Sequence, residues 1–591
     1  MTPGDQTGSR ADRIANLSVA QLRLLAKRTK ETSAPSVNVF TRQDPNANTF
    51  PLSFAQEGFW FLEQLMPRNP SFNWIMALRF HVSLSDDKWR DIFRELARRH
   101  EILRTRYIVQ NGAPVQIVDA PVQVPVRIVD LRHMESSAQE AAVAAFIDDE
   151  SAKGFDVEKE VLCRFNILQL GGDESVLCSS THLSIIDAWC RKVFVNELAS
   201  IARTRLLSFP PHPEPQLQYG DYATWERQSL QGETLDRLLS YWKTQLQDMP
   251  DLELLTDHTR PPVQRLNGGM ESLLLPKSLT DSVRELGRSE GATPFMTFLA
   301  AFQILLALHS NQNDIAVGVP VVNRTFPEFE ALLGRFVNTL VLRNRLSVNQ
   351  SFREILRHVR EVTLAGMAHQ ELPFELLVRA MRIRRGPDRN PLVRVMFQLE
   401  DIPATDLSTG GLIESSMITP IEVKTGASVW DLNLHIFSHW DKSVLDRPEE
   451  FRAVVYYDRD LFDQSTVVRM LNQYQTLLER VVANPDTAIS EAALNSGHRN
   501  ARCAEIAGAL LEEPSVADCV VRVRRTSGLE NQLVAYVVTS RQWEPQTLQR
   551  HMRTLLPHDM LPDVYVPVTK IPLTPEGDVD WPQLEAVEVI E

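Results

Sequence analysis

Between residues 76 and 83 apolar and polar positions alternate. Met76, Leu78, Phe80 and Val82 point one way, and Ala77, Arg79, His81 and Ser83 the other. A period of two predicts a strand. The period then changes: Ser85 stands where a helix N-cap belongs, and Trp89, Ile92, Phe93 and Leu96 recur at helical spacing. Residues 161–170 and 175–182 read as two further strands joined at Gly171-Gly172-Asp173, a turn-forming cluster. The helix after them is predicted over 187–204. His182 and Asp187 therefore lie on a strand-to-helix loop, where reactive groups are commonly displayed.

The same reading divides the chain. Residues 1–47 form a polar tail with one short helix over 17–27, striped by Leu22, Leu25 and Ala26. Mixed α/β pattern runs over 48–226 and again over 227–490, with the Pro-rich passage 209–215 inside the first stretch. The second half holds an apolar helix over 293–310, an apolar strand over 314–322 and a closing helix over 466–483. A linker at 491–500 leads to a small α/β unit, 501–591. Its predicted elements are helix 504–513, strands 516–524 and 532–539 around the turn 526–531, and helix 545–556.

With 591 residues the chain exceeds one core, and 43% hydrophobic with 23% charged residues is ordinary for a soluble globular protein. A formal charge of −14 argues against nucleic-acid binding. Cys163, Cys178, Cys190, Cys503 and Cys519 are odd in number and contain no Cys-x-x-Cys pair, which fits reduced thiols and no metal site. The run 295–308 is shorter than the ~20 residues that span a bilayer, and the N-terminus has no apolar signal core. A cytoplasmic chain with no membrane partner is the expectation.

The segment Ser180-Thr181-His182-Leu183-Ser184-Ile185-Ile186-Asp187-Ala188-Trp189 resembles the His-His-x-x-x-Asp-Gly motif of nonribosomal peptide synthetase condensation domains. Aligned on Asp187 and Trp189, it has His182 at the first His, Leu183 at the second and Ala188 at the Gly. Other motifs follow in order. Leu52-Ser-Phe-Ala-Gln56 is similar to the opening motif, with Gly58 where an Arg is usual. Arg99-His-Glu-Ile-Leu-Arg-Thr105, Tyr219-Gly-Asp-Tyr-Ala-Thr-Trp225, Gly334-Arg-Phe-Val-Asn-Thr339, His369-Gln-Glu-Leu-Pro-Phe-Glu375 and Arg389-Asn-Pro-Leu392 complete the set. On these motifs residues 48–490 are identified as a member of the family.

The resemblance implies a mixed α/β fold like chloramphenicol acetyltransferase, two lobes in a V around a tunnel. In that family phosphopantetheinyl carrier proteins, peptidyl or acyl, bring a donor thioester and a nucleophile to opposite mouths. The second His serves as general base or as the acceptor that aligns the nucleophile; the first supports the loop. The Asp pairs with an Arg of the other lobe, for which Arg324 is the matching candidate. The catalytic candidates of this degenerate motif are thus His182 and Asp187, with structural roles favoured for both. Leu183, Trp189 and Asn338 are the tunnel or substrate candidates, and a backbone N–H at Ala188 is placed to face an oxyanion if its φ is negative. His182, Asp187 and Cys190 also match the Asp-x-x-x-x-Asp-x-x-Ser spacing of azoline-forming relatives, but the flanking motifs are those of ordinary condensation domains.

Residues 501–591 resemble the small C-terminal subdomain of adenylation domains. After Ile571-Pro-Leu-Thr-Pro-Glu-Gly577 that family has a lysine; here Asp578 follows, and no Gly-rich phosphate loop precedes it. Adenylation and ATP use are not expected, and no cofactor is bound intrinsically: phosphopantetheine comes with the partners. Two functions follow from the family, with acyl transfer to an amine ahead of a hydroxyl placed first. The other is an inactive platform that recruits carrier proteins, synthetase modules or a tailoring enzyme, as altered condensation-like domains do in glycopeptide assembly lines. Cyclisation or dehydration of a carrier-bound intermediate is a third.

Overall fold

The computed structural model describes residues 42, 44 and 46–584, apart from 83, 121–123, 172, 211–212, 311, 348, 384–389, 401–417, 422, 424–427, 438–450, 489–505, 526–530, 540–544, 557–560, 573–578 and 580–582. The helix expected at 17–27, Cys503, the 491–500 linker, Arg389 and Asp578 lie outside the described residues. Two compact units emerge, one of residues up to 347 with 352–474, the other of 348–351 with 475–591. The boundary between these units falls inside the helix Gln464–Ala483.

In the larger unit a five-stranded sheet runs in the order Ile418–Ile421, Asn73–Phe80, Ser175–His182, Cys163–Gln169, Val126–Asp130. Asn73 pairs with His182 and Phe80 with Ser175, antiparallel. The alternation seen in the sequence places Met76, Leu78 and Phe80 in one core with Trp89, Ile92, Phe93 and Leu96 of helix Asp86–Arg99. The opposite face is covered too, because Ile75, Ala77, Val176 and Cys178 pack with Val143 and Ile147 of helix Ser136–Ser151. Covered on both sides, Ser175–His182 is buried at all eight positions, which a one-sided strand would not be.

The first strand in this order is an unanticipated element. Ile418–Ile421 comes from the second half of the sequence and pairs antiparallel with Phe80 to Ala77. Pro420, which lacks an N–H, is tolerated because the strand lies at an edge. A piece of the 227–490 stretch thus completes the sheet built by the stretch before it.

A six-stranded sheet forms the second half: Asn338–Arg345, Asp314–Val321, Val395–Glu400, Leu432–Phe437, Arg452–Asp458, Gly268–Leu274. Pro294–Ser310 is its core helix, and the polar Gln303 within it is answered at both ends: it donates to the Leu342 carbonyl at 3.0 Å and accepts from Asn344 at 2.8 Å. Among the described residues no single helix is long and apolar enough to cross a membrane. The smaller unit holds the sheet Val516–Arg525, Asn531–Thr539, Val564–Pro567, with Leu548 and Met552 of helix Pro545–Leu555 and Ile506 and Leu510 of helix 506–511 in its core. Cys163, Cys178, Cys190 and Cys519 are buried free thiols.

Candidate functional site

Strand Ser175–His182 ends inside the protein, and His182 is sealed there at 0% exposure. The rings of Phe59, Phe72 and Phe155 meet its imidazole edge-on, with centroids 5.8 to 6.3 Å away. Both nitrogens are used. Nε2 lies 3.2 Å from Oε1 of the buried Glu63, while Nδ1 lies 2.7 Å from Ser184 Oγ and accepts the Ser184 N–H at 3.2 Å. Tyr107 donates to the same Ser184 oxygen at 2.7 Å. A proton on Nε2 and none on Nδ1 satisfies every member of this chain. Burial pushes the imidazole pKa below its ordinary value despite the pull of Glu63, so the ring is neutral at pH 7. Both ring nitrogens of His182 are thus engaged within the protein.

Leu183 follows, half-buried, and its backbone is held at both ends: the N–H donates to the Phe72 carbonyl at 2.7 Å and the carbonyl accepts from Arg335 Nη1 at 3.1 Å. Asp187 is the N-cap of helix Ala188–Leu207 and accepts the Cys190 N–H at 3.1 Å. Its other oxygen takes the Phe336 N–H at 2.9 Å and the Val337 N–H at 3.3 Å. Arg324 Nη2 completes the set at 3.2 Å, and its Nη1 reaches the carbonyls of Phe329 and Leu332. A carboxylate accepting this many N–H groups ties the loop of the first half to residues 324–337 of the second.

Two tunnel candidates are likewise committed elsewhere. Asn338 donates to the carbonyls of Gln370 and Leu372 at 2.8 and 2.7 Å, and accepts the N–H groups of Thr339 and Phe374. Two donors and two acceptor directions are then spent, leaving none for a substrate. Trp189 donates its indole N–H to the Glu330 carbonyl at 2.9 Å. Ala188 is exposed and its φ is not positive. Cys190, the third member of the azoline-like spacing, donates its thiol to the Gly334 carbonyl at 3.0 Å; burial raises its pKa to about 12, so it is inert packing.

Gly334 is required for these loops to meet. Its φ is +151°, and a Cβ there would stand 1.9 Å from Tyr219 Cδ2. The Tyr219 hydroxyl donates to the Arg335 carbonyl and is itself bonded to Ser53 Oγ at 2.9 Å. The family described as "Condensation domain" matches residues 46–502. The chain belongs to the condensation-domain family.

A linear gramicidin synthase of Brevibacillus parabrevis is 36% identical to it over 473 residues, 80% of this chain and 9% of that protein. The phosphinothricin tripeptide synthetase PhsC of Streptomyces viridochromogenes is 33% identical over 483 residues, 80% of this chain and 43% of that protein. The chain spans under a tenth of the length of the gramicidin synthases it matches. Among solved structures, the X-domain of teicoplanin biosynthesis in complex with OxyB has a TM-score of 0.68 at 22% identity, covering 78% of this chain and 99% of that one. The condensation domain of the monacolin K polyketide synthase MokA scores 0.64 at 21% identity, covering 75% and 99%. At these identities the likeness shows the fold, which is the chloramphenicol acetyltransferase-like one expected.

Several residues that build this condensation-domain site carry no motif signal. Glu63, Tyr107 and Ser184 converge on His182 from three separate elements, and only Ser184 is near it in sequence. Glu226, 5% exposed, accepts the Phe54 N–H and the Tyr222 hydroxyl, both at 2.8 Å. Burial raises its pKa to about 7. Arg335 lies inside the motif Gly334–Thr339, yet its bond to the Leu183 carbonyl is not foretold by the motif. One signal in the sequence is Gly58 in place of an Arg: a Cβ there would meet Glu375 Cγ at 3.0 Å, so the space beside the helix Phe54–Leu65 is already taken.

Proposed function

We propose that this chain is a carrier-protein-dependent condensation domain of a nonribosomal peptide or hybrid polyketide assembly line that transfers an acyl group from a donor thioester to an amine without a general base. The observation that carries this reading is that the loop scaffold is whole: Asp187, Arg324, Asn338 and His182 all make dense internal bonds, and the imidazole replaced by Leu183 is what the motif lacks. General-base help is typically worth roughly 10²–10⁴-fold, while holding two tethered reactants together supplies a separate and larger share. A neutral amine attacks a thioester with its own lone pair and sheds its proton afterwards. A hydroxyl must lose its proton as the bond forms, so it suffers more from Leu183. Phosphopantetheine arrives on partner carriers, and residues 501–591 are read as a remnant of an adenylation C-terminal subdomain without ATP use.

A second reading, a platform without turnover, is favoured by the sealed state of His182, which leaves the motif with no titratable group to spare. A structural neighbour being a complex of an X-domain with OxyB supports the recruitment of a tailoring enzyme under that reading. Intact-protein mass spectrometry of donor- and acceptor-loaded carrier proteins incubated with the chain separates the two. Transfer to an amine acceptor by the wild type is expected. No transfer by the wild type, with transfer appearing in Leu183→His, refutes the enzyme reading.

A further inference from the structure

A permanent cation stands beside the position from which the imidazole is missing. Arg335 Nη1 donates to the Leu183 carbonyl, and the guanidinium lies over the Phe59 ring, 4.5 Å from its centroid. That hydrogen bond uses one of five N–H donors. Among the described residues no carboxylate lies within ion-pair distance of it; Glu375 and Asp187 act on it only through their longer-range fields. Arg324, eleven residues earlier, is the contrast: its guanidinium is sealed and answered by Asp187 and by backbone carbonyls.

Arg335 keeps a partly exposed surface, yet protein atoms crowd it closely enough that desolvation lowers its pKa. A crowded charge with no ion-pair partner among the described residues is unfavourable, and an anion arriving from outside relieves it. The planar fork of a guanidinium matches a carboxylate in geometry as well as charge. Leucine at 183 is compatible with this cation, whereas an imidazole there would have its protonation opposed by it.

We propose that Arg335 binds a carboxylate of the substrate beside Leu183, so that the chain selects reactants bearing an anionic group near the reacting centre. This rests on the reading that the reactants meet at Leu183. The carboxylate belongs either to the donor acyl group or to the amine acceptor, and the probes distinguish these sources. Succinyl-pantetheine is compared with its neutral isostere succinamyl-pantetheine on the donor side, and aspartyl-pantetheine with asparaginyl-pantetheine, each joined through its α-carboxyl, on the acceptor side. Dissociation constants are measured by calorimetry or ligand-observed NMR on the full chain.

A charge-assisted hydrogen bond contributes about 1.5–3 kcal/mol, so the wild type is expected to prefer one of the two acids by roughly 10–150-fold. Arg335→Gln is expected to erase that preference while leaving the neutral probe's affinity unchanged, and Arg335→Lys to keep part of it. Equal affinity of acid and amide for the wild type in both arms overturns the proposal, as does a preference that survives in Arg335→Gln. If neither variant folds, the wild-type comparison alone decides. Binding is read without turnover, so acyl transfer that appears only in Leu183→His overturns the preceding reading and leaves this one standing; transfer of neutral acyl groups with no carboxylate preference overturns this one alone.

Discussion

Replacing Glu226 by Gln should stabilise the protein at pH 8 and leave it unchanged at pH 4. Glu226 lies under the start of helix Phe54–Leu65, bonded to the Phe54 N–H and the Tyr222 hydroxyl, with no ion pair among the described residues. Burial lifts its pKa from an ordinary 4.5 to about 7. The folded chain therefore holds this proton more tightly than the unfolded chain does, and stability falls as pH rises from about 4.5 to about 7 before levelling off. At about 1.36 kcal/mol per pKa unit, the ionised carboxylate is unfavourable by on the order of 3 kcal/mol above pH 8. Gln keeps the carbonyl acceptor for Phe54, and the Tyr222 hydroxyl can rotate to accept from the new amide. Urea denaturation followed by tryptophan fluorescence, at pH 4, 6 and 8, should show the Gln variant gaining up to roughly 3 kcal/mol at pH 8. The gain should shrink through pH 6 and disappear at pH 4. The same difference at all three values, or a variant weaker than wild type at pH 8, refutes the reasoning.

Removing Arg324 as Arg324→Leu should destabilise the fold by about 3–5 kcal/mol, because Asp187 is left buried and charged; chemical denaturation of the single and of Asp187→Leu/Arg324→Leu should find the double variant the less damaged. Gly334→Ala drives a methyl into Tyr219 and should cost more than about 2 kcal/mol, whereas Gly232→Ala, also at positive φ but with open space around it, should cost about 1 kcal/mol; equal losses in thermal melts would contradict the contact described. His182 should show the nitrogen shifts of a neutral Nε2–H ring by NMR at pH 7, and its titration midpoint should lie below the ordinary 6.5; a midpoint at or above 6.5 would mean that the Glu63–Ser184 enclosure opens in solution.

How much of this was legible beforehand depended on how local the signal was. The strands at 163–169 and 175–182, the helices at 86–99, 188–207 and 294–310, and the strand-to-helix loop that carries Asp187 all rest on periodicity and turn residues within a few positions of each other. The pairing of Asp187 with Arg324, 137 positions apart, was implied by the family resemblance and not by any local pattern. What pattern could not convey was convergence. Glu63, which belongs to no motif, is 3% exposed and bonded to His182. Arg335 stands inside the motif Gly334–Thr339, but nothing in that pattern conveys that its guanidinium donates to the Leu183 carbonyl. Motif position puts Asn338 near substrate, but all its bonding capacity is spent on its own neighbour and the 370–374 turn.

The strand Ile418–Ile421 at the edge of the first sheet bears on how the chain is made. Until the ribosome has delivered residue 421, the outer rim of Asn73–Phe80 has no neighbour, so the first half emerges with a bare ladder of N–H and C=O groups some 340 residues ahead of its cover. Cutting the gene between the halves, at 226, should yield an N-terminal fragment that clumps through that rim. Exchanging halves between relatives should succeed only when the donor of residues 418–421 travels with the sheet it closes.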